Sequence, residues 1–205
     1  MWRKRGWLWR ILVAIFVLLV PAPVLLLLLF RFVPVPGTPE MLVSVIEGKG
    51  ARHQWVDDVS PRLERAVIAA EDQNFCRHHG FDFEAIDKAL AEHRRHPKRP
   101  MRGASTISQQ TARTLFLVPM RSWVRKGLEA YLTVLVEFLW PKKRILDAYL
   151  NLVDWGDGIF GAQAAARTYF GTDAADLTSA EAARLAAILP NPHKWRAVRP
   201  GRYVA

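Results

Sequence analysis

Residues 11–30 read ILVAIFVLLVPAPVLLLLLF, twenty positions without a charged side chain. Twenty helical residues reach about 30 Å, the thickness of a bilayer's hydrocarbon core, so the segment reads as a membrane-spanning helix. Pro21 and Pro23 are expected to kink or tilt it, which membrane helices tolerate. Arg3, Lys4, Arg5 and Arg10 precede the run and only Arg31 follows closely. That bias leaves the N-terminus in the cytoplasm and carries everything after about residue 33 outside. Trp7 and Trp9 suit the interface. A cleaved signal peptide is the competing reading. Against it, the run exceeds the usual apolar core of about 7–15 residues, and no A-x-A site follows. The expected division is a basic cytoplasmic N-terminus at 1–10 and an anchor at 11–33. A linker and membrane-proximal segment at 34–60 and one domain at 61–205 complete it.

Residues 34–39, Pro-Val-Pro-Gly-Thr-Pro, form a stiff exit from the membrane. Residues 40–60 are ambiguous, and Met41–Ile46 fits either a short strand or a helix. Beyond Pro61 the periodicity is helical throughout. Helices are expected near 62–71, 83–95, 106–117, 122–139, 142–152, 161–170 and 179–189. Thr178 and Glu181 form a T-x-x-E box at the start of the last, and Pro190 ends it. No strand-like alternation follows residue 60, so the fold class is all-α. Cys76 is the only cysteine. It excludes an internal disulfide and cysteine-type metal clusters, and is expected to be a small buried apolar group.

Glu71-Asp72-Gln73-Asn74-Phe75-Cys76-Arg77-His78-His79-Gly80-Phe81-Asp82 follows an Ala-rich helical pattern. A carboxylate delivered by a packed helix into such a loop can acquire a raised pKa, which a general base near neutral pH needs. From His93 to Leu128 there is no acidic residue, while nine cations fall in the same window. Such a segment seeks anions. Nucleic acid is scarce outside the cytoplasm, so anionic lipid head groups or a pyrophosphate fit better, although HRRHPKRPMR at 93–102 also reads as a plain solvated loop.

Within that window, Ser105 or Thr106 can cap a helix. Thr106, Gln109, Gln110 and Arg113 fall at i, i+3, i+4 and i+7, one face of it. Hydroxyl, carboxamides and guanidinium suit a sugar phosphate. In RKGLE, Arg125 and Lys126 share a face with Glu129 at i+4 and i+3. Two carboxylates, Glu71 and Glu129, thus flank a cationic, amide-rich helix. Paired carboxylates suggest chemistry at a glycosidic centre, and clustered cations suggest a departing phosphate.

The blocks EDQNFCRHHGFD, GASTISQQTARTLFL, RKGLEAYLTVLVE, KKRILDAYLNLVDWGDGIFGAQAAARTYFG and LTSAEAARLAAILPNP occur in that order. Together they resemble the signature blocks of family 51 glycosyltransferases, from about residue 62 to 203. The resemblance implies a lysozyme-like helical domain that polymerises lipid II into glycan strands and releases undecaprenyl pyrophosphate with inversion. It implies that Glu71 is the general base and that Glu129 assists near the phosphates or orients substrate. Ser105, Thr106, Gln109, Gln110, Arg113, Arg125 and Lys126 would line the donor side. Asp72, Phe75, His78, Gly80 and Asp82 match the first block: Asp72 and His78 are counted with the substrate-binding residues, Asp72 is also expected to hold the loop, and Phe75 and Gly80 to shape it. This chain has Arg113 where the family usually has lysine, and relatives usually continue beyond residue 205.

No Ser-x-x-Lys occurs, so a transpeptidase activity is not supported. Two other readings remain open at this level: a lytic, lysozyme-like glycosidase, and a non-catalytic protein that binds cell-wall assembly or division proteins. No cofactor requirement is legible. The six histidines lack metal-ligand spacing, so Mg2+ or Mn2+ at a pyrophosphate would be held largely by substrate. The expected place is the bacterial inner membrane, single-pass, with the catalytic domain in the periplasm.

Overall fold

A computed structural model describes residues 2–97, 103–120 and 122–198. The basic loop 93–102 therefore lies partly outside the described residues, as do Arg121 and the end of the 61–205 domain. The apolar run forms two helices, α1 (Trp2–Leu19) and α2 (Pro21–Phe30), separated at Val20. The two prolines are the cause: neither can donate a backbone hydrogen bond, and the break falls just before the first. Among the described residues a single apolar stretch, Trp7–Phe30, is long enough to cross a membrane.

Of the ambiguous segment, Pro39–Ile46 is a helix, α3, started by Thr38, whose side chain accepts from the Met41 amide at 3.2 Å. Val35 and Met41, within the expected linker, are buried with the core of the following domain. The seven expected helices are present as α4 (Pro61–Glu71), α5 (Phe83–Arg95), α6 (Ile107–Phe116), α7 (Trp123–Leu139), α8 (Lys142–Leu152), α9 (Ala162–Phe170) and α10 (Ser179–Ile188). Ser60, Asp82, Thr106, Ser122 and Thr178 cap five of them with side-chain oxygens. Each cap satisfies an otherwise orphaned amide and is worth about 1 kcal/mol. Arg52–His53 and Ile159–Phe160 pair in parallel as β1 and β2. This corrects the expectation of no strand beyond residue 60: two residues are too short to show any alternation.

The centre of the domain is α6, packed against both α7 and α8, while α4 packs on α10. Ile107, Ala112 and Leu115 meet Leu132, Val136, Ile145 and Ala148 in one core. Ser108, Gln109, Thr111 and Thr114 of α6 are buried as well. Ser108 bonds Glu137, and Thr111 bonds the Ile107 carbonyl at 2.9 Å, so burial leaves these hydroxyls satisfied.

The anchor is fastened to this domain at the α7–α8 junction. Helix α2 packs on α7, and Leu27 is fully buried. The last carbonyls of a helix have no partner within it. Here the Trp140 indole donates to the Leu27 carbonyl at 2.7 Å, and Arg144 donates to those of Phe30 at 2.9 Å and Val33 at 2.7 Å. Arg31 returns the contact, donating to the Leu139 carbonyl at 2.7 Å. The Arg144 guanidinium also lies 4.7 Å from the Trp55 ring and 5.5 Å from that of Trp140. Arg144→Ala removes charged donors and two ring contacts at once. We expect a loss of roughly 2 kcal/mol, seen as a melting temperature about 4–8 °C lower for the full chain in detergent.

Candidate active site

The end of α4 delivers Glu71 to a cleft of about 260 Å3, whose walls also include Asn74 and Asp82 from the following loop, Lys88 and Glu92 of α5, and Ser105. Adjacent carboxylates have opposite fates there. Glu71 is half-buried at the cleft, and its Oε2 accepts from Gln110 Nε2 at 2.8 Å. Burial pushes its carboxyl above the usual range. The Gln110 amide and the Arg113 charge pull it down, and Asp72 adds a smaller push upward. The Asp72 side chain is buried and paired within the protein. Its Oδ2 accepts from the Ile107 amide at 2.9 Å, at the positive end of α6, and both its oxygens meet His78 Nε2 at 2.9 and 3.0 Å. The Gly80 amide donates to His78 Nδ1 at 3.2 Å, so Nε2 carries the imidazole proton and donates to Asp72.

The rest of the loop is built around that contact. Phe75 is buried edge-on to His78, and Lys142 Nζ stands 4.5 Å from its ring centre. Gly80 has φ +92°, and a Cβ there would lie 2.9 Å from Thr133 Cγ2. Asp82 caps α5 by accepting from Ala85 at 2.8 Å. That amide holds its carboxyl below the ordinary value. Cys76 is exposed, contrary to expectation: the turn aims its neighbour Phe75 inward instead.

Of the four residues expected on one substrate-facing side of α6, the structure brings Gln110 and Arg113 beside Glu71. Thr106 and Gln109 are buried. Gln109 Oε1 accepts from the Thr106 amide at 3.0 Å, and Thr106 Oγ1 accepts from the Gln109 amide at 3.1 Å. Thr106 also donates to the Gly80 carbonyl at 2.6 Å. The first turn of a helix needs such partners more than a cleft needs the hydroxyl. The side chains of Asp72 and His78, also read as substrate-binding, are likewise buried and paired with each other.

Ser105 stands on the cleft wall, and its Oγ lies 3.4 Å from Lys126 Nζ. Glu129 is buried beneath Arg125 and Lys126, with 2.9 Å to Arg125 Nη1 and a close contact to Lys126 Nζ. The spacing in RKGLE therefore produces one carboxylate holding two cationic heads in place. Arg125 Nε is buried and has no hydrogen-bond partner among the described residues. An unpaired guanidinium donor beside a lysine is suited to an anionic oxygen.

Sequence reasoning missed Glu40, which α3 brings into the field of Arg113 by packing on α6. Burial raises its carboxyl, Asp154 adds to that, and Arg113 and His193 oppose it. Only a tertiary contact reveals this. It also missed Tyr149, for which a polar residue on the buried side of an apolar helix was the available signal. Among the described residues no three His, Cys, Asp or Glu side chains converge as a metal site.

A half-buried carboxylate in the field of Arg113, and a second carboxylate that pairs two cations, on a helical domain fastened to an apolar helix, suit an enzyme acting on a sugar linked to phosphate. A family model described as transglycosylase matches residues 40–204. The chain is 54% identical to a biosynthetic peptidoglycan transglycosylase of Caulobacter vibrioides, covering 96% of this chain and 86% of that one. Relatives with the same description from Chromohalobacter salexigens and Pseudomonas aeruginosa are each 50% identical. They cover 99% and 89% of this chain and 88% and 82% of their own. The chain belongs to the transglycosylase family, and its activity is that of a peptidoglycan glycosyltransferase, which polymerises glycan strands in cell-wall synthesis.

A raised carboxyl makes ionisation of Glu71 unfavourable to the fold. Its stabilising contribution is complete below the ordinary glutamate pKa and is lost as pH rises through the folded-state value. Glu71→Gln should therefore melt about 1–3 °C higher than the parent near pH 8, with the gap closing below about pH 4. Melting curves across that range check it.

Proposed function

We propose that Glu71 is the general base of glycan polymerisation. It takes the proton of the acceptor N-acetylglucosamine 4-hydroxyl as that oxygen bonds to C1 of the donor N-acetylmuramic acid. The C1–oxygen bond to undecaprenyl pyrophosphate breaks on the opposite side, with inversion, and its electron pair departs on the phosphate. The observation that carries this reading is the environment of Glu71: burial lifts its proton affinity towards neutral pH, while a neutral amide donor still favours the ionised form needed at the outset. The positive charge that Glu129 holds beside Ser105 suits the negative charge that gathers on the departing phosphate. Arg125 and Lys126 are assigned to the pyrophosphate, with Ser105 beside them and Arg113 on the Glu71 side. Glu129 acts through them, since its own oxygens are covered.

Lipid II and the growing strand are the substrates in this reading. The membrane orientation follows the charge bias of the sequence: N-terminus cytoplasmic, catalytic domain periplasmic. Helix α7, against the anchor, leaves Trp123, Val124, Val134 and Phe138 exposed, which suits an enzyme that draws a lipid-linked donor from the bilayer surface. An Mg2+ or Mn2+ ion would have to be carried by the substrate's phosphates, because the described residues offer no ligand set.

Glu71→Gln in the full chain is expected to lower lipid II polymerisation about 10²-fold or more. Retained polymerisation would remove Glu71 from the role of base. Muropeptide release from intact glycan, without polymer growth on lipid II, would favour the lytic reading instead. Glu129→Gln frees both cationic heads. It should slow polymerisation while leaving the pH at which Glu71 titrates nearly unchanged, as a pH–rate profile would show.

A further inference from the structure

Tyr149 lies on the buried side of α8, and only 2% of it is exposed. A phenol at such depth needs a partner, because an unpaired hydroxyl in the core is costly. Its hydroxyl is 3.4 Å from Gln110 Oε1. The other end of that amide, Nε2, donates to Glu71 Oε2 at 2.8 Å. The chain of contacts thus runs from the core, through one amide, to the carboxylate at the cleft.

We propose that Tyr149 is a positioning residue for the general base, its hydroxyl orienting and polarising the Gln110 amide that donates to Glu71. The inference rests on the reading of Glu71 as that base. An amide has two ends that differ in sign. With Oε1 facing a hydroxyl donor, Nε2 is left facing Glu71, the arrangement an ionised carboxylate requires. The reversed amide would set an oxygen against the charge. At 3.4 Å the phenol contact is long for an O–H···O bond, so its contribution is direction and polarisation more than strength. A donor aimed at Oε1 draws electron density through the amide and makes Nε2–H the better donor. Glu71 in turn ionises more readily than burial alone would allow.

The phenol is suited to this because it stays protonated. Burial raises its pKa well above the ordinary tyrosine value, the Glu71 charge acts in the same direction, and Asp72 adds to it while Arg113 opposes. The charged groups acting on Glu71 itself are Asp72, which follows it on the chain, and Arg113 from α6. Neither touches Tyr149 in a hydrogen bond, so removing the phenol oxygen leaves both in place.

The test is the pH dependence of kcat/KM for lipid II polymerisation by the full chain in detergent, for the parent, Tyr149→Phe, Gln110→Ala and the double variant. The acid limb of that profile reports the base in the free enzyme. Loss of the phenol weakens a donor to the carboxylate, so the limb should move up by about half a pH unit, or threefold in rate below it. In the Gln110→Ala background, Tyr149→Phe should move it no further. Site-specific 3-fluorotyrosine at 149 keeps the hydroxyl and makes it a stronger donor. It should shift the limb to lower pH, and it decides the matter if the Phe variant does not fold. A uniform fall in rate with an unmoved limb, or a shift undiminished without Gln110, overturns the proposal and leaves Tyr149 as core packing. Glu71→Gln, run alongside, separates the two readings. If it polymerises normally, the base assignment itself has failed. If it is inactive and the limb stays put in both Tyr149 variants, only the positioning role has.

Discussion

The active site hangs on Asp72. Its carboxylate is buried, and it accepts at the same time from the first amide of α6 and from the His78 imidazole. An unpaired charge at that depth would cost several kcal/mol, so the contact is made completely or the local fold is lost. Completing it brings three things together: the end of α4, the loop that follows, and the central helix. Glu71 is the preceding residue on the same chain, so its place relative to Gln110 and Arg113 is decided by a neighbour that faces the other way. Thr106 reinforces the junction by tying the Gly80 carbonyl to the start of α6. Gly80 allows the close approach, since no side chain would fit against Thr133.

Glu71 and Glu129 show how one residue type serves two ends. Glu71 sits among poor dielectric and one neutral donor, with a single cation within electrostatic range. Its charge is left only partly compensated, which gives it appetite for a proton. Glu129 is covered by two cations that contact both its oxygens. Its charge is spent on holding them. A glycosidase that cuts glycan by acid and base has no use for that second arrangement. A leaving group with two phosphates, as proposed above, does.

The sequence made the helices legible because each carries a strong apolar period and most carry a capping residue before it. Thr178 with Glu181 and the Arg125–Lys126–Glu129 spacing are local patterns, and the structure contains both. What failed was the reading of α6 as half wet. Helical spacing says that Thr106, Gln109, Gln110 and Arg113 share a side. It does not say that the upper half of that side is used up by the helix's own first turn. Cys76 went wrong for a related reason: in a turn, neighbouring residues point in unrelated directions, and composition cannot choose between Phe75 and Cys76. The approach of Glu40 to Arg113, and of Tyr149 to Gln110, joins residues 73 and 39 positions apart. No pattern within a single chain reports such distances. The resemblance of the ordered blocks named the family but could not show which of their residues face the cleft.

The break at Val20 divides the anchor into mechanically different halves. The second half, α2, has its final carbonyls gripped by Trp140 and Arg144, so it belongs to the same rigid body as the catalytic domain. The first, α1, has the Tyr131 hydroxyl on the Leu19 carbonyl at its end and otherwise a largely exposed apolar surface. Membranes differ in thickness and ripple with composition, and a single stiff rod would pass every such change into the tilt of the cleft. A rod interrupted near its middle offers a place where such a mismatch would be met.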